Sequence, residues 1–411
     1  MLRELVALEG RFAFLRARGT WWWAALGVGA VVRVALVLFT EGTLDVPIWQ
    51  AHAESVRKFG LVGYYERQEV FNHPPFMGMA MAVGWAKAIG LGVPFAVYLR
   101  APFALLDLGT ALLLSHALRD APHRHLVFAA YWLNPLAMLL SAYHGNTDSA
   151  VAFFSLLAVV AAGRGRAIAA GAAIGVGLWI KLPVVLAGPA LFFALEGARR
   201  RLKFAGTALA VAITSFLPVM VTAPALLVSR VVAYPGLRVE SPDGTPIWTL
   251  WDLFGLVDRA PESLRGLLDG AMQGHAAANS MLCLGAVVGV AWLRRRERGV
   301  RELGFSVLAG QITFYALNHN FFSFQYFAWS IPFWYFAPLA FVVAATVLIG
   351  GYLYGAYALF CGDLLLRGKW DFYAFASWPR WLLALRDASL LLCAGSAITW
   401  LRSSLTRRGF G

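Results

Sequence analysis

The sequence has few charged residues, and acids are the scarcest of them. Only 14% of its 411 residues are charged, and 22 are Asp or Glu against 35 that are Lys or Arg. A soluble domain carries charge on about a quarter of its residues. With 60% hydrophobic residues as well, the composition argues against a soluble enzyme.

Cysteine is also scarce. The three cysteines, Cys283, Cys361 and Cys393, all lie in apolar runs and are predicted to be packing residues. Their spacing fits neither a disulfide framework nor a zinc site.

Long apolar runs dominate what remains. Many approach the roughly 20 residues that a helix needs to cross a bilayer. Only helices and closed barrels satisfy the backbone in lipid, and these runs lack the alternation of a barrel. The sequence therefore predicts an all-α polytopic membrane protein, a single transmembrane domain over 1–411 with about twelve spanning helices.

The net charge of +13 has two interpretations, nucleic-acid binding or membrane topology. Its basic residues cluster in short segments between apolar runs, such as 199–203 and 294–301, as they do in cytoplasmic loops. We therefore expect no nucleic-acid partner and two cytoplasmic termini. No small-residue cleavage site follows the first apolar run, 21–39, which is expected to be a retained signal anchor.

Loop charge also predicts which segments stay outside. Counting 76–90 as a span would put the basic residues of later loops on inconsistent sides, so we expect an interfacial helix there. This gives two external regions: a loop at 40–96 with juxtamembrane helices, and a donor-side loop at 222–275.

The first external loop concentrates acids. A connector needs about two to eight residues, but 40–75 is much longer and carries Glu41, Asp45, Glu54, Glu66 and Glu69. Asp45 opens an amphipathic stretch, 47–59, so we predict a catalytic loop centred on this residue. The alternative is that Asp45 only caps the following helix, with Pro47 in its first turn.

Other unusual polar residues fall on the same predicted side of the membrane, where ionisable groups are costly and usually functional. They are His73, Arg100, Asp107, His144, Asn146, Asp148, Lys181, Arg238, His319, Gln325 and Tyr326. Several have structural alternatives. Arg100 and Asp107, seven residues apart, share a helix face and could form an ion pair. Asn146 could cap a helix, and Lys181 could reach the membrane interface.

Short motifs recur in a characteristic order: Asp45 followed by His73-Pro74-Pro75, Arg100 with Asp107, 144–148 (HGNTD), 234–238 (YPGLR) and 322–325 (FSFQ). This order resembles the GT-C superfamily of membrane glycosyltransferases that use polyprenyl-phosphate sugars. The dolichyl-phosphate-glucose glucosyltransferases show the most similar motifs. The Gly145-Asn146 pair and Tyr326-Phe327-Ala328-Trp329 look more like mannosyltransferases of GPI-anchor synthesis.

The resemblance implies a GT-C fold and an inverting transfer of mannose or glucose to a hydroxyl of a lipid-linked glycan or glycolipid. It implies Asp45 as general base. The donor phosphate and sugar would bind Lys181, Arg238, His319, Gln325 and Tyr326, with His73, Arg100, Asp107, His144, Asn146 and Asp148 in supporting or acceptor roles. Such enzymes need no metal, and the loop has no Asp-x-Asp, so we expect neither metal nor cofactor.

The resemblance also suggests a bacterial plasma membrane, with the site facing outside and membrane lipids around the bundle. A transporter or flippase of lipid-linked sugars is the alternative from another class. It would show internal repeats and polar residues at the membrane midplane. The sequence shows neither.

Overall fold

The chain forms a bundle of helices. The computed structural model describes residues 20–68, 71–120, 124–233, 248–257, 259–319, 324–371 and 378–406. Within these ranges there is no β-strand, so the predicted all-helical class is confirmed.

The helices are labelled in chain order. They are α1 (Thr20–Phe39), α2 (Asp45–Arg67), α3 (Pro75–Leu91), α4 (Phe95–Ala117), α5 (Arg124–Trp132), α6 (Pro135–Met138, continued by a π-helical turn, Leu139–Tyr143), α7 (Asp148–Ala162), α8 (Ala167–Ile180), α9 (Gly188–Ala194, preceded by a 3-10 turn, Leu182–Ala187), α10 (Gly197–Thr222), α11 (Pro224–Leu227, continued by Val228–Val232), α12 (Glu262–Leu293), α13 (Val300–Leu317), α14 (Ile331–Trp334), α15 (Leu339–Cys361) and α16 (Arg380–Thr406). Two more 3-10 turns cover Leu250–Gly255 and Phe324–Trp329.

Six helices of the described ranges are long and apolar enough to cross a membrane: α1, α4, α10, α12, α15 and α16. The α5–α6 pair could act as a seventh span, bent by 47°. The bend lies at Asn134-Pro135, where Asn134 Oδ1 accepts a hydrogen bond from Leu136 N at 2.9 Å and so caps a new helix. The chain is thus a multi-pass membrane protein, and the sequence-based count of about twelve spans is not confirmed.

Helix α7 is too short to span the bilayer, and protein surrounds it. Its 15 residues extend about 22 Å, less than the roughly 30 Å hydrocarbon core. Most of its residues are buried. A helix that does not span is tolerated where other helices enclose it.

Close packing positions α8, which ends directly before Lys181. A Cβ at Gly171 would lie 2.3 Å from the Phe204 carbonyl oxygen of α10, and one at Gly175 would lie 2.8 Å from the Ala208 carbonyl oxygen. Small residues at this spacing let membrane helices approach closely.

Helix α2 lies in a separate hydrophobic cluster with α3 and the start of α4. Trp49, Tyr65, Phe71 and Met77 are buried members of it. His52 belongs there too: it is buried and hydrogen-bonds Tyr64. Burial lowers the pKa of His52 to about 4, which keeps the ring neutral. This packing holds the helix that begins with Asp45.

Helix α12 begins at Glu262, within the segment 222–275 that the sequence predicts to be external. At 32 residues α12 extends about 48 Å, well beyond the bilayer core of about 30 Å. Its polar first turns can therefore lie outside lipid as part of the same helix.

Arg33 and Asp107 form a buried ion pair between α1 and α4. Arg33 Nε lies 2.9 Å from Asp107 Oδ2, and Tyr131 donates to Asp107 Oδ1 at 2.6 Å. The guanidinium also donates to the Trp132 carbonyl at 2.8 Å. The Asp107 carboxylate is therefore paired with Arg33 and not with Arg100, the partner that the shared helix face suggested.

We predict that Arg33→Met destabilises the protein by about 3–5 kcal/mol, because it leaves a buried carboxylate without its counter-charge. Adding Asp107→Asn should restore most of this stability, since the amide can still accept from Tyr131. Unfolding of the purified protein measures both changes. Arg57→Met, at an exposed arginine of α2, is the control and should change stability by less than about 0.5 kcal/mol. A double variant as unstable as Arg33→Met would contradict the argument.

The topology predicts that α3 stays at the external surface. Lys87 is exposed on α3, and the native cysteines Cys283, Cys361 and Cys393 are buried, so background labelling should be low. An impermeant maleimide should modify Lys87→Cys from outside intact cells, while Arg200→Cys, exposed on α10, should react only after lysis. Labelling of position 87 from the cytoplasmic side alone would refute this arrangement.

Candidate active site

Two turns meet at one end of the bundle: the turn from α1 to α2 and the turn from α6 to α7. Arg100 of α4 is fully buried between them. Its guanidinium donates to the carbonyls of Leu36 at 3.1 Å, Val37 at 2.9 Å and Thr40 at 2.6 Å. The last carbonyls of a helix have no partner within it and carry partial negative charge. Arg100 therefore caps α1 and directs the chain toward Asp45.

The two turns approach so closely that glycine is required in each. Gly42 and Gly145 have φ angles of +82° and +81°. A Cβ at either position would lie within 3 Å of Val46 Cγ2, at 2.8 Å and 2.6 Å respectively. Both the left-handed backbone and the lack of space exclude a side chain.

Asp45, the first residue of α2, faces the second turn. Its Oδ2 atom accepts hydrogen bonds from His144 Nε2 at 3.1 Å and from Asn146 Nδ2. Asn146 Oδ1 accepts from Thr147 N at 2.6 Å, which fixes the amide so that its NH₂ group points to Asp45. The carboxylate thus bonds side chains of another turn, and the alternative that it caps α2 is wrong.

His144 is held at its backbone and at both ring nitrogens. Its carbonyl accepts from Thr43 Oγ1 at 2.7 Å, which joins the two turns directly. Ring atom Nδ1 lies 2.7 Å from the hydroxyl of Tyr357 on α15. The sequence analysis missed Tyr357, because it is one of three tyrosines in a long apolar helix and no local motif distinguishes it.

The environment keeps Asp45 ionised. Burial acts to raise its pKa, but the His144 contact, the Asn146 hydrogen bond and the positive charge of Lys181 together lower it below the ordinary value. The Asp45 side chain is still 28% exposed. It is therefore a carboxylate that solvent or a substrate can reach.

Asp148, at the start of α7, forms a second acidic position with a different partner. Lys181 Nζ lies 2.8 Å and 3.0 Å from its two oxygens, and Trp329 Nε1 donates to Oδ1 at 2.6 Å. The Asp148 side chain is 1% exposed and that of Lys181 is 12% exposed. The Tyr326 ring lies 5.0 Å from Lys181 Nζ and stacks on Trp329. Lys181 is thus a paired cation at the edge of the site, not one that only reaches toward the membrane interface.

His73 packs against Trp49 of α2, one helical turn after Asp45. Its ring is 4.3 Å from that of Trp49, and its carbonyl accepts from the Tyr65 hydroxyl. Burial, and then the charges of Lys181 and His52, lower the pKa of His73 well below its ordinary value. The ring is therefore neutral and adds no positive charge to the site.

The remaining predicted residues differ in their surroundings. His319 packs its ring 5.3 Å from that of His275, and its backbone N–H donates to Asn279 Oδ1 at 2.9 Å, so its described contacts are with α12. Gln325 is half-buried in the turn that also carries Tyr326. Arg238 lies outside the described residues.

The arrangement suits proton transfer next to a charged group. It offers an ionised, reachable carboxylate, two side-chain donors that orient it, and a nearby lysine. Within the described ranges, no group of three or more His, Cys, Asp or Glu side chains is arranged to hold a metal ion.

Comparison with known proteins gives one match. The model of "Glycosyltransferase family 87" matches residues 71–317, about three fifths of the chain. No curated protein matches. The matched region contains His144, Asn146, Asp148 and Lys181, whereas Asp45 and Tyr357 lie outside it. Because the match covers more than half of the sequence, the chain belongs to glycosyltransferase family 87, and its activity is that of a membrane glycosyltransferase.

Proposed function

We propose that this enzyme transfers a hexose, mannose or glucose, from a polyprenyl-phosphate carrier to a hydroxyl of a lipid-linked glycan or glycolipid. Asp45 is the proposed general base. The observation that carries this proposal is the Asp45 carboxylate, which is oriented through Oδ2 by His144 and Asn146 while its side chain stays 28% exposed. Neither of those contacts uses Oδ1, so that oxygen can accept a proton.

In the proposed step, the acceptor oxygen forms a bond to the anomeric carbon as the bond from that carbon to the phosphate oxygen breaks. The phosphate leaves with the bonding electrons, and the acceptor proton passes to Asp45 Oδ1. A single displacement of this kind inverts the anomeric centre. A base must lie within hydrogen-bond reach of the proton that it takes.

A carboxylate with a lowered pKa is a weak base, and this suits a late proton transfer. The acceptor hydroxyl becomes acidic only as its new bond forms, so Asp45 need not remove the proton beforehand. Its lowered pKa ensures that the base is unprotonated at neutral pH. Catalytic benefit depends on both this protonation state and the driving force for transfer.

The leaving phosphate gains negative charge, and cationic or hydrogen-bonding groups that strengthen their contact with it lower the barrier. Lys181 is the proposed phosphate contact, together with Arg238, His319, Gln325 and Tyr326. Asp148 already neutralises Lys181, so a phosphate would share this lysine with a carboxylate. We propose that Asp148 thereby orients Lys181 and limits the strength of phosphate binding.

The acceptor and the membrane orientation also belong to the proposal. The apolar helices support a donor that is carried by a lipid, and we propose that the site faces the outside of the cell. Family membership does not favour the transporter alternative.

We predict that Asp45→Asn lowers transfer by about 10²–10⁴-fold, the usual effect of losing a general base. Asn keeps the size and the acceptor oxygen of the side chain but cannot take the proton. Donor binding should therefore change little. Purified protein, incubated with polyprenyl-phosphate mannose or glucose and a glycolipid acceptor, gives both quantities.

Glu54→Gln is the matched control. Glu54 is an exposed acid on the same helix that bonds only Gln50 in the described contacts, so its loss should leave transfer unchanged. Because the pKa of Asp45 lies below the ordinary value, wild-type transfer should persist at neutral pH and fall as the pH drops through that pKa. Near-wild-type transfer by Asp45→Asn would refute the base assignment.

We also predict that Lys181→Met has two separable effects. It should destabilise the protein by about 3–5 kcal/mol, because it leaves Asp148 buried without its cation. It should also weaken donor binding.

Adding Asp148→Asn separates the two effects. The amide can still accept from Trp329 but carries no charge, so stability should recover while donor affinity stays low. Thermal unfolding and donor titration measure these quantities. If the double variant regained wild-type donor affinity, Lys181 would have no role in phosphate binding.

A further inference from the structure

Tyr357 is linked to the proposed base through His144. Its hydroxyl lies 2.7 Å from His144 Nδ1, and the two rings are 5.5 Å apart with an interplanar angle of 51°. Tyr357 is fully buried on α15. This helix is distant in sequence from the turns that form the rest of the site, and it lies beyond the matched residues 71–317.

The hydrogen-bonding capacity of each group determines which atom donates in the two hydrogen bonds that link Tyr357, His144 and Asp45. An ionised carboxylate can only accept, so His144 Nε2 must carry a hydrogen to bond Asp45. In the neutral imidazole the other nitrogen, Nδ1, is then an acceptor. A tyrosine hydroxyl carries its proton at neutral pH, with an ordinary pKa of about 10, and can donate to Nδ1.

From this geometry we infer that Tyr357 is a positioning residue for the glycosyl transfer, which fixes the tautomer and ring orientation of His144 so that His144 donates to Asp45. The inference rests on the proposed function of Asp45. Without the hydroxyl, the imidazole can place its hydrogen on Nδ1 and present a lone pair to the carboxylate. Asp45 then loses one of its two orienting donors.

Loss of this donor should raise the pKa of Asp45. The hydrogen bond from His144 is one of the contacts that lower the pKa of Asp45. When that bond weakens, the carboxylate takes up a proton at a higher pH. The acid limb of the rate profile should therefore move to higher pH. The other titratable groups that act on these three side chains or their direct neighbours include Glu41, His52, His73, Arg100, Tyr143, Asp148, Lys181 and Cys361, and the substitution below leaves all of them in place.

The test is Tyr357→Phe, measured as transfer by the purified full-length enzyme with polyprenyl-phosphate mannose or glucose, whichever the wild type uses. We expect kcat to fall about 3- to 10-fold, the effect of losing one supporting hydrogen bond. The KM for the donor should not change, and the acid limb should move to higher pH. Tyr352→Phe removes a buried hydroxyl from the same helix and is the matched control, with no expected change in the pH profile.

A double-mutant cycle separates positioning from packing. His144→Gln breaks the chain between Tyr357 and Asp45, so Tyr357→Phe should have no further effect on kcat in that background. Additive losses would overturn the inference, and so would a wild-type kcat and pH profile for Tyr357→Phe alone.

Two further outcomes are also decisive. If Tyr357→Phe does not fold, difluorotyrosine at position 357 keeps the shape and donates more strongly, which should move the acid limb to lower pH; an unchanged limb would overturn the inference. If the wild type transfers no hexose from either donor, the proposed function fails and the inference fails with it. That result is distinct from a loss confined to the position 357 variants.

Discussion

The site depends on how the buried guanidinium of Arg100 closes the end of α1. A helix that ends inside a protein leaves carbonyls without partners, and an unmet buried carbonyl costs free energy of the same order as a lost hydrogen bond. Arg100 satisfies the carbonyls of Leu36, Val37 and Thr40 from a neighbouring helix. It also lies 3.5 Å from the Tyr143 carbonyl, so one side chain contacts both turns that build the site.

Asp45, Asp107 and Asp148 differ in their partners, and those partners distinguish their roles. Asp107 is paired with Arg33 and Asp148 with Lys181, and both carboxylates are almost fully buried. A buried carboxylate next to a permanent cation has its charge and its hydrogen-bonding capacity occupied. Asp45 instead receives hydrogen bonds from an amide and an imidazole and keeps more than a quarter of its side chain exposed. Of these three acids it is the one that we propose takes the acceptor proton.

The packing of α2 fixes the position of Asp45 outside the spanning helices. Its buried face, with Trp49 and Tyr65, packs on the segment that includes Phe71 and Met77. His52 and His73 also lie within or against this packing and are kept neutral by burial. The histidines on the α2 side of the site therefore add no competing positive charge near Asp45, whose pKa is lowered by His144, Asn146 and Lys181.

Much of this arrangement could be predicted from local features. Long apolar runs indicated helices, and a polar segment too long for a connector marked the region around Asp45. The HGNTD motif marked His144, Asn146 and Asp148. The partners of these residues were not predictable in the same way. Arg100 and Asp107 share a helix face, yet Asp107 bonds Arg33 and Arg100 bonds backbone carbonyls, because the approach of α1 determines which groups each one meets.

The sequence by itself determined the helical class, the membrane location and the chemical identity of the residues at the site, because each follows from composition, periodicity and short motifs. The tertiary structure decided which acids are neutralised, which nitrogen of His144 faces Asp45, and that Tyr357, more than 200 positions further along the chain, completes the contact. Hydrogen bonds act over about 3 Å in space and carry no signature in sequence separation. The hydroxyl of Tyr357 comes within hydrogen-bond distance of His144 because α15 packs against the two turns.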